Sequence, residues 1–431
     1  MSLFLNVLLN GLFVFSVIFI WLMLLYQFVL CLGGFFLRQR LRRRGPAVID
    51  DEKLPAVTVL VPARNEEKVI AATVSRLQEL RYPQGKLEIV IVNDGSSDGT
   101  LAAARSRADG DPRFRFIDIP ADQGGRGKSA TLNRAFRAAS GEAIAVYDAD
   151  NLPEADALRR LAWALVSDRR LAAVTGKFRA YNAGRNLLTR FINLESVAFQ
   201  WLIQAGRWFF LRISTLPGTN FVIWKAVLEK LDGWDEEALT EDTELTFRIY
   251  QSGYLVGFLP DAVTWEQEPE SLAVWVRQRT RWARGNNYLI QKFGRRLLRT
   301  RPRVTTLELL NLFFLYYFFV FAILFSDLIF LLALCGLVRV RLFGPFFELW
   351  LLAFLLYVLE VMIALSYERE DTPGNILAAV LAYFTYTKLW VFVVLKSLYH
   401  DLVQKKDRSW AKTERFAGRS PDEERARRRR G

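Results

Sequence analysis

Two aspartates one residue apart, Asp148 and Asp150, follow the apolar run Ala143–Tyr147. Leaving a buried strand, they offer hard oxygen ligands, and Mg²⁺ is usually held by one or two carboxylates plus substrate phosphates. A divalent cation (Mg²⁺ or Mn²⁺) there would offset charge on a departing diphosphate. Asp150 or Asn151 also fits a helix cap ahead of Pro153. Upstream, Asp94 lies in Asn93-Asp94-Gly95-Ser96-Ser97-Asp98-Gly99, where it can accept hydrogen bonds from a base or ribose while Asp98 caps a helix. Gly124-Gly125-Arg126-Gly127-Lys128 offers flexible backbone and cations to a phosphate. It is not a P-loop, because the glycine required five positions before Gly127 is missing. Thr240-Glu241-Asp242 supplies a carboxylate able to take a proton from an attacking hydroxyl, or two residues that cap a helix. Glycoside hydrolysis would need two carboxylates flanking the bond, which spacing alone does not exclude. In Gln278-Arg279-Thr280-Arg281-Trp282, Arg281 suits diphosphate oxygens and Trp282 the apolar face of a sugar ring. The same stretch also reads as a surface amphipathic helix with snorkelling arginines.

Other chemistries have little to stand on. The one histidine, His400, flanks an apolar segment, and Cys31 and Cys335 both fall inside such segments. No disulfide framework or thiolate metal site is indicated, so chemistry rests on carboxylates, Arg, Lys and an oxygen-bound metal. The net charge of +13 concentrates at 38–44, 295–303 and Arg425–Arg430. The first two flank apolar segments and suit anionic headgroups, while the last is a solvated tail. No zinc spacing or base-stacking motif supports a nucleic-acid partner.

These residues need a scaffold that brings distant loops together. Val57–Val61, Leu87–Val92, Phe114–Ile119 and Ala143–Tyr147 read as strands separated by helical stretches at about Glu66–Leu80, Thr100–Asp109 and Lys128–Ala139. That alternation implies right-handed crossovers and a mainly parallel α/β sheet, whose ligands bind at the carboxyl ends of the strands. The loops at 62–66, 93–99 and 148–151 all lie there. Leu187–Phe210 and Leu272–Gln291 are amphipathic helices suited either to a membrane surface or to a core.

Apolar segments flank this unit. No charge precedes Arg38, and apolar stretches return at 309–338, 345–366 and 376–400. Runs near 20 residues span a bilayer. The expected organisation is a retained transmembrane helix at 1–37, a cytosolic domain with interfacial helices at 53–300, a transmembrane region at 305–402 and a basic cytosolic tail at 403–431. Arg38–Arg44 places the domain on the cytoplasmic face of the cell membrane.

Taken in order, Asp94, the D-x-D at Asp148 and Asp150, the T-E-D at 240–242 and the Q-x-x-R-W at Gln278, Arg281 and Trp282 resemble the membrane-bound processive branch of family 2 glycosyltransferases. That branch includes cellulose, chitin, hyaluronan and poly-N-acetylglucosamine synthases; the last type is similar in its one long N-terminal segment, several C-terminal ones and an aromatic-rich last segment like Tyr383–Trp390, while Gln278–Gly285 is equally cellulose-synthase-like. The resemblance runs from about Leu54 to Arg415. It implies a glycosyltransferase A-type domain that uses a UDP-sugar to elongate a polysaccharide with inversion. Asp94 and the Ala63 loop would hold uridine, and Asp150 would bind the metal with Asp148 near the nucleotide. Lys128 and Arg281 would serve the diphosphate. Asp242, beside Glu241, would be the base. Gly218, Thr219, Asn220, Gln278 and Trp282 would meet the acceptor, and Thr413 and Arg415 in the late Trp410–Arg415 element would cover the nucleotide.

A cytoplasmic tail conflicts with three simple crossings after residue 305. Arg339 and Arg341 suggest that 307–338 bends near Ser326-Asp327 and returns to its starting side, which leaves Glu368–Asp371 across the membrane. Glu360 and Lys388 are expected to pair beside a polysaccharide conduit. Competing functions are glycolipid synthesis by single transfer and a non-catalytic nucleotide-sugar receptor or transporter. Membrane lipids and an accessory membrane subunit are the further partners considered.

Overall fold

The computed structural model describes residues 3–45, 47–297, 303–313, 317–337 and 346–404. Helix α1 (Leu3–Arg44) leads into an α/β domain. There β1 (Val57–Ala63), α2 (Ile70–Gln78), β2 (Leu87–Asp94), α3 (Thr100–Ala108), β3 (Phe114–Ile119), α4 (Lys128–Arg137) and β4 (Ala143–Val146) alternate as their patterning requires. Then come β5 (Leu152–Pro153), α5 (Ala157–Ser167), β6 (Leu171–Ala180), α6 (Leu187–Ala198), α7 (Ala205–Leu211), β7 (Phe221–Trp224), α8 (Lys225–Lys230), α9 (Glu241–Gln251) and β8 (Leu255–Glu266). The long α10 (Leu272–Leu297) is followed by α11 (Arg303–Phe313), α12 (Phe319–Leu334), α13 (Phe346–Glu368), α14 (Pro373–Phe384) and α15 (Tyr386–Leu398).

The strands form one sheet in the order β3-β2-β1-β4-β7-β6-β8-β5. β3, β2, β1 and β4 pair in parallel, β7 runs antiparallel between β4 and β6, and β6 pairs in parallel with β8. Side-chain alternation divides the central strands between two layers. Val57, Val59 and Val61 join Val74, Leu77, Leu161 and Leu165 on one face. Leu60, Val90, Val92 and Ile144 join Leu132, Phe136, Leu245 and Ile249 on the other. Helices on both faces explain why these strands read as continuous apolar runs. Strand order reverses at β1, with β2 on one side and β4 on the other, and such a switch point opens a crevice at the strands' carboxyl ends.

Two described helices are long and apolar enough to cross a membrane, one in α1 beginning at Val7 and one at Leu351–Glu368; α14 and α15, bent by 42°, would together make a third. The first helix is not confined to 1–37. It runs unbroken to Arg44, and its later turns pack on the stretch between α6 and α7 and on α7 itself. Glycine makes that approach possible. A Cβ at Gly34 would lie 2.1 Å from Trp201 O, and one at Gly206 would lie 2.2 Å from Leu30 O, the close backbone contact that small residues permit. The expected single helix over 187–210 is split by a π-helical stretch, Phe199–Gln204.

Three expectations for the membrane part are overturned. Helix α12 passes through Ser326 and Asp327 without interruption, so no bend lies there. Lys388 pairs with Asp327 at 2.7 Å rather than with Glu360. The acidic Glu368–Asp371 segment is not remote from the α/β domain, because Glu368 is ion-paired with Lys177 and Arg179, Glu370 with Arg179. Trp201 Nε1 also donates to Glu368 (2.6 Å) and Asn193 Nδ2 to Glu370 (2.7 Å). These contacts fasten the end of β6 to the end of α13. A charge-sign rule reads flanks against solvent and lipid, and here the flank's counter-charges belong to the protein itself.

Replacing Glu368 by leucine strands the buried Lys177 and leaves the buried Arg179 with Glu370 alone. The loss should be about 3–5 kcal/mol, visible as a lowered thermal transition of the detergent-solubilised protein; an unshifted transition would show that the joint contributes nothing.

Candidate active site

Carboxyl ends of β1, β2 and β4 supply one wall of the site. Asn65, with φ of 55°, stitches two of the loops: its Oδ1 accepts from Ser97 N at 2.8 Å, and its own amide donates to Ser96 Oγ at 2.9 Å. Asp94 ends β2, and its Oδ1 accepts from Gly125 N at 3.1 Å. That contact requires glycine, since a Cβ at Gly124 would stand 2.8 Å from Asp94 O and one at Gly125 would strike the Arg64 guanidinium. The expected helix-capping role of Asp98 is present too, its Oδ1 accepting from Thr100 N at 3.1 Å.

Beyond β4 the chain turns sharply through the D-x-D. Asn151 Oδ1 and Thr219 Oγ1 both accept from Asp148 N, at 3.1 and 3.2 Å, and Thr219 in turn donates to Asn151. Thr219 therefore braces the loop that carries the two aspartates. Lys128, the first residue of α4, reaches into the same space. Its Nζ lies 2.5 Å from Asp148 and 3.4 Å from Glu241, and it donates to Gly218 O at 2.8 Å. Burial opposes its charge, but Asp148 and then Glu241 outweigh that cost, holding the ammonium well above the ordinary lysine range.

The opposite wall is the N-terminus of α9. Asp242 Oδ1 accepts from its neighbour Thr243 N at 2.7 Å. Its other oxygen faces Gly218, where φ is +84° and a Cβ would stand 3.0 Å away, so glycine lets the loop close on the carboxylate. Burial first, and repulsion from Glu241 second, raise the Asp242 carboxyl to about 7. Helix α10 closes in from a third side, and a Cβ at Gly285 would meet Thr240 Oγ1 at 2.4 Å. That approach sets Arg281 over Leu239 O, to which its Nη1 donates at 3.2 Å.

A cavity of about 620 Å³ joins these walls. Ala63, Asp94, Lys128, Asp148, Asp150, Gly218, Thr219, Glu241, Asp242, Gln278, Arg281 and Trp282 all line it. Asn220 is not among them. Its amide is committed to Lys177 O (2.9 Å) and Ala262 O (3.0 Å), where it ties β6 to the middle of β8. Thr413 and Arg415 lie outside the described residues. Other lining residues escaped the sequence reading: Tyr26 and Gln27 of α1, Glu195 of α6, Arg207 of α7, Glu308 of α11 and Trp390 of α15. The usable signal was charge inside amphipathic or apolar helices, at Glu195, Arg207 and Glu308. Arg207 and Glu308 form a buried ion pair on the cavity wall.

Among the described residues no cluster of three or more His, Cys, Asp or Glu side chains is arranged to hold a metal. The protein offers instead an oxygen-only pair, the buried Asp150 and the Lys128-bound Asp148. Such a set fits a hard divalent cation that completes its shell with phosphate oxygens, and fits zinc or copper poorly.

Comparison with known proteins agrees with this arrangement. The probable glycosyltransferase YdaM of Bacillus subtilis is 43% identical over 412 residues, covering 94% of this chain and 98% of that protein. The poly-beta-1,6-N-acetyl-D-glucosamine synthase of Staphylococcus aureus is 29% identical over 242 residues, covering 56% of this chain and 57% of that protein. Among solved structures, a mannosyltransferase of Pyrobaculum calidifontis in complex with GDP-mannose and Mn²⁺ superposes with a TM-score of 0.55 at 21% identity, over 87% of this chain and 99% of that one, a likeness of fold. Residues 55–285, more than half the chain and containing Asp94, Asp148, Asp150, Glu241 and Asp242, match the family described as "Glycosyltransferase like family 2". With its mixed sheet of glycosyltransferase A type, this chain is a membrane-associated glycosyltransferase of family 2.

Proposed function

We propose that this glycosyltransferase is processive and inverting, and that it extends a β-linked polysaccharide from a UDP-sugar such as UDP-N-acetylglucosamine or UDP-glucose. The observation that carries the reading is the continuity of the cavity, which runs from Asp94 and the D-x-D past Asp242 and Trp282 to residues of α1, α11, α12 and α15. A growing chain could leave along it toward the membrane without dissociating. An acceptor carrying a lipid could enter the same apolar helices from the side, so single transfer to a lipid is the second reading.

On the first reading, Asp94 and the Ala63 loop hold the nucleoside, and Trp282 lies under the terminal acceptor sugar. Gln278 Oε1 is buried with no hydrogen-bond donor among the described residues, as suits a group that accepts from an acceptor hydroxyl. Asp242 takes the proton of the attacking hydroxyl. The acceptor oxygen bonds to the anomeric carbon on the face opposite the diphosphate, and the carbon–oxygen bond to UDP breaks with its electron pair leaving on UDP. Lys128 and Arg281 oppose the charge that develops on the diphosphate. A divalent cation, which members of the family generally use, would be held by Asp150 with Asp148 beside it and would add positive charge at the same place. Thr413 and Arg415 are proposed to cover the nucleotide.

We place the α/β domain in the cytoplasm. Helix α13, 23 residues long, rises about 35 Å and ends on Lys177 and Arg179 of that domain, so its start belongs on the far face. Asp401, just past α15, pairs with Arg284 of α10 at 2.7 Å, which keeps the start of the tail on the domain's side. Spans by α1, by α11 with α12, and by α13 then satisfy the topology, with α14 and α15 on the cytoplasmic side and room for an accessory membrane subunit.

Four outcomes follow. Purified protein in lipid, given each UDP-sugar, should release UDP and make polymer; a single glycolipid product would favour the second reading. Asp242→Asn should still bind UDP but lose transfer by at least about 100-fold, and retained turnover would remove Asp242 from its role. A base works deprotonated, so kcat/KM should be low in acid and rise as pH passes through about 7, the value to which the Asp242 carboxyl is raised; a profile flat from pH about 5 to 8 would exclude it. For the topology, the exposed Cys335, just beyond α12, should react with a membrane-impermeant maleimide on intact cells. Labelling only after permeabilisation would overturn the crossing.

A further inference from the structure

Behind Trp282 lies a group of side chains that the motifs do not include. The Arg279 guanidinium carbon sits 3.9 Å from the centre of the Trp282 ring and 5.7 Å from that of Trp390. Arg279 is only 2% exposed, so its charge requires a counter-ion. Glu195 on α6 provides it, accepting from Arg279 Nη2 at 2.9 Å. The same carboxylate accepts from Tyr386 OH at 2.6 Å and from Trp390 Nε1 at 2.9 Å. Tyr386 OH in turn accepts from Trp275 Nε1 at 3.0 Å. One acidic group thus gathers donors from α10 and α15 onto α6, and it does so on the wall of the cavity.

We propose that Glu195 is a positioning residue for the acceptor platform: through Arg279 it fixes the plane of the Trp282 ring against which the acceptor sugar stacks. This rests on the reading of Trp282 as that platform. The physics is directional. A cation lying on one face of an indole is attracted by the ring's quadrupole, most strongly where water is excluded. With Arg279 held on one face, the ring cannot tip, and its remaining face is presented to the cavity. Without the carboxylate, a buried guanidinium has every reason to swing toward water or toward Glu268, another buried acid on the cavity wall. The ring then loses its backing. Small misplacements of a substrate-orienting group cost much in rate, and here the cost falls on the acceptor alone, because the nucleotide lies against β1, β2 and β4.

The test uses the full-length protein in lipid with UDP-N-acetylglucosamine, UDP-glucose and short β-linked oligosaccharide acceptors of each sugar. Glu195→Gln keeps one acceptor oxygen, enough for Tyr386 or Trp390 but not for both since they bond to different oxygens of the carboxylate, and removes the charge that faces Arg279. It should raise the acceptor KM about tenfold while UDP affinity stays within about twofold. Adding Arg279→Gln to it should cost little more, since both changes break one unit, and Glu195→Asp should recover part of the loss. Tyr386→Phe, which leaves the Arg279 contact intact, should change the acceptor KM less than about twofold. A helix-bridging role alone would instead lower stability and leave the acceptor KM and UDP affinity moving together, and that result overturns the proposal. Trp282→Ala separates the two ideas. If it leaves the acceptor KM unchanged, the platform reading fails; if it raises that KM while Glu195→Gln does not, only the present inference fails. A natural enzyme inactive on both donors would overturn both.

Discussion

Crowding of carboxylates around a single ammonium is the constraint on which this site depends. Asp148, Glu241 and Asp242 come from two elements far apart in sequence, and Lys128 is the cation among them, within 3.4 Å of both Asp148 and Glu241. Like charges this close cannot all be ionised cheaply, and the strain appears at Asp242, whose carboxyl is lifted by burial and by Glu241. A base of ordinary carboxylate strength would be a poor match for a sugar hydroxyl near neutral pH, and raising its proton affinity improves the match. The arrangement is also tuned for what it is proposed to receive. An incoming divalent cation would add the positive charge that the acidic loop lacks, and a diphosphate would find Lys128 and Arg281 already in place. The backbone supports the constraint through glycine: Gly218 lets its loop close on Asp242, and Gly285 lets α10 close on Thr240.

The same economy of charge governs the union of the α/β domain with its membrane helices. Apolar helices give lipid-facing surface but no fixed registration. Registration comes from ionic contacts at defined points: the buried pairs of Glu368 with Lys177 and Arg179 and of Asp401 with Arg284, and the half-buried Lys292 of α10 with Asp235 and Glu244. The last of these joins the helix bearing Trp282 to the helix bearing Asp242. Trp282 and Asp242, the proposed acceptor platform and base, are therefore held at a fixed separation, as an in-line displacement would demand.

Much of this was legible in the residues. Alternation of β-branched runs with amphipathic stretches gave the strands and helices from β1 to β4, and the ordered carboxylate motifs converge on one cavity as their positions after strands implied. What escaped was of another kind. Asn220 stands next to Gly218 and Thr219 in sequence but turns its amide to the backbone of β6 and β8, and no local pattern distinguishes those two orientations. Lys388 chose Asp327 over Glu360 because pairing depends on how helices pack, which periodicity does not encode. Glu368 was misassigned for the same reason, its partners being 189 and 191 residues away. Glu195 belongs to no motif, and its importance emerges only when α6, α10 and α15 are brought together.

Burial of Arg207 and Glu308 on the wall of the cavity bears on what the cavity is for. A desolvated ion pair rarely improves stability over apolar side chains of the same size, so its presence between α7 and α11 asks for another reason. A cavity meant only for an acyl chain would be better lined with leucine. A carbohydrate differs, because every ring presents both donors and acceptors at its rim and apolar hydrogens on its faces. Guanidinium and carboxylate side by side can serve that rim, and Tyr26, Phe199 and Trp390 on the same walls can serve the faces. The ion pair and aromatics thus form a sugar-compatible strip beside the apolar Leu312, Phe319, Val320, Ile323, Val391 and Val394, and it is on this strip that the proposed glycan conduit would draw.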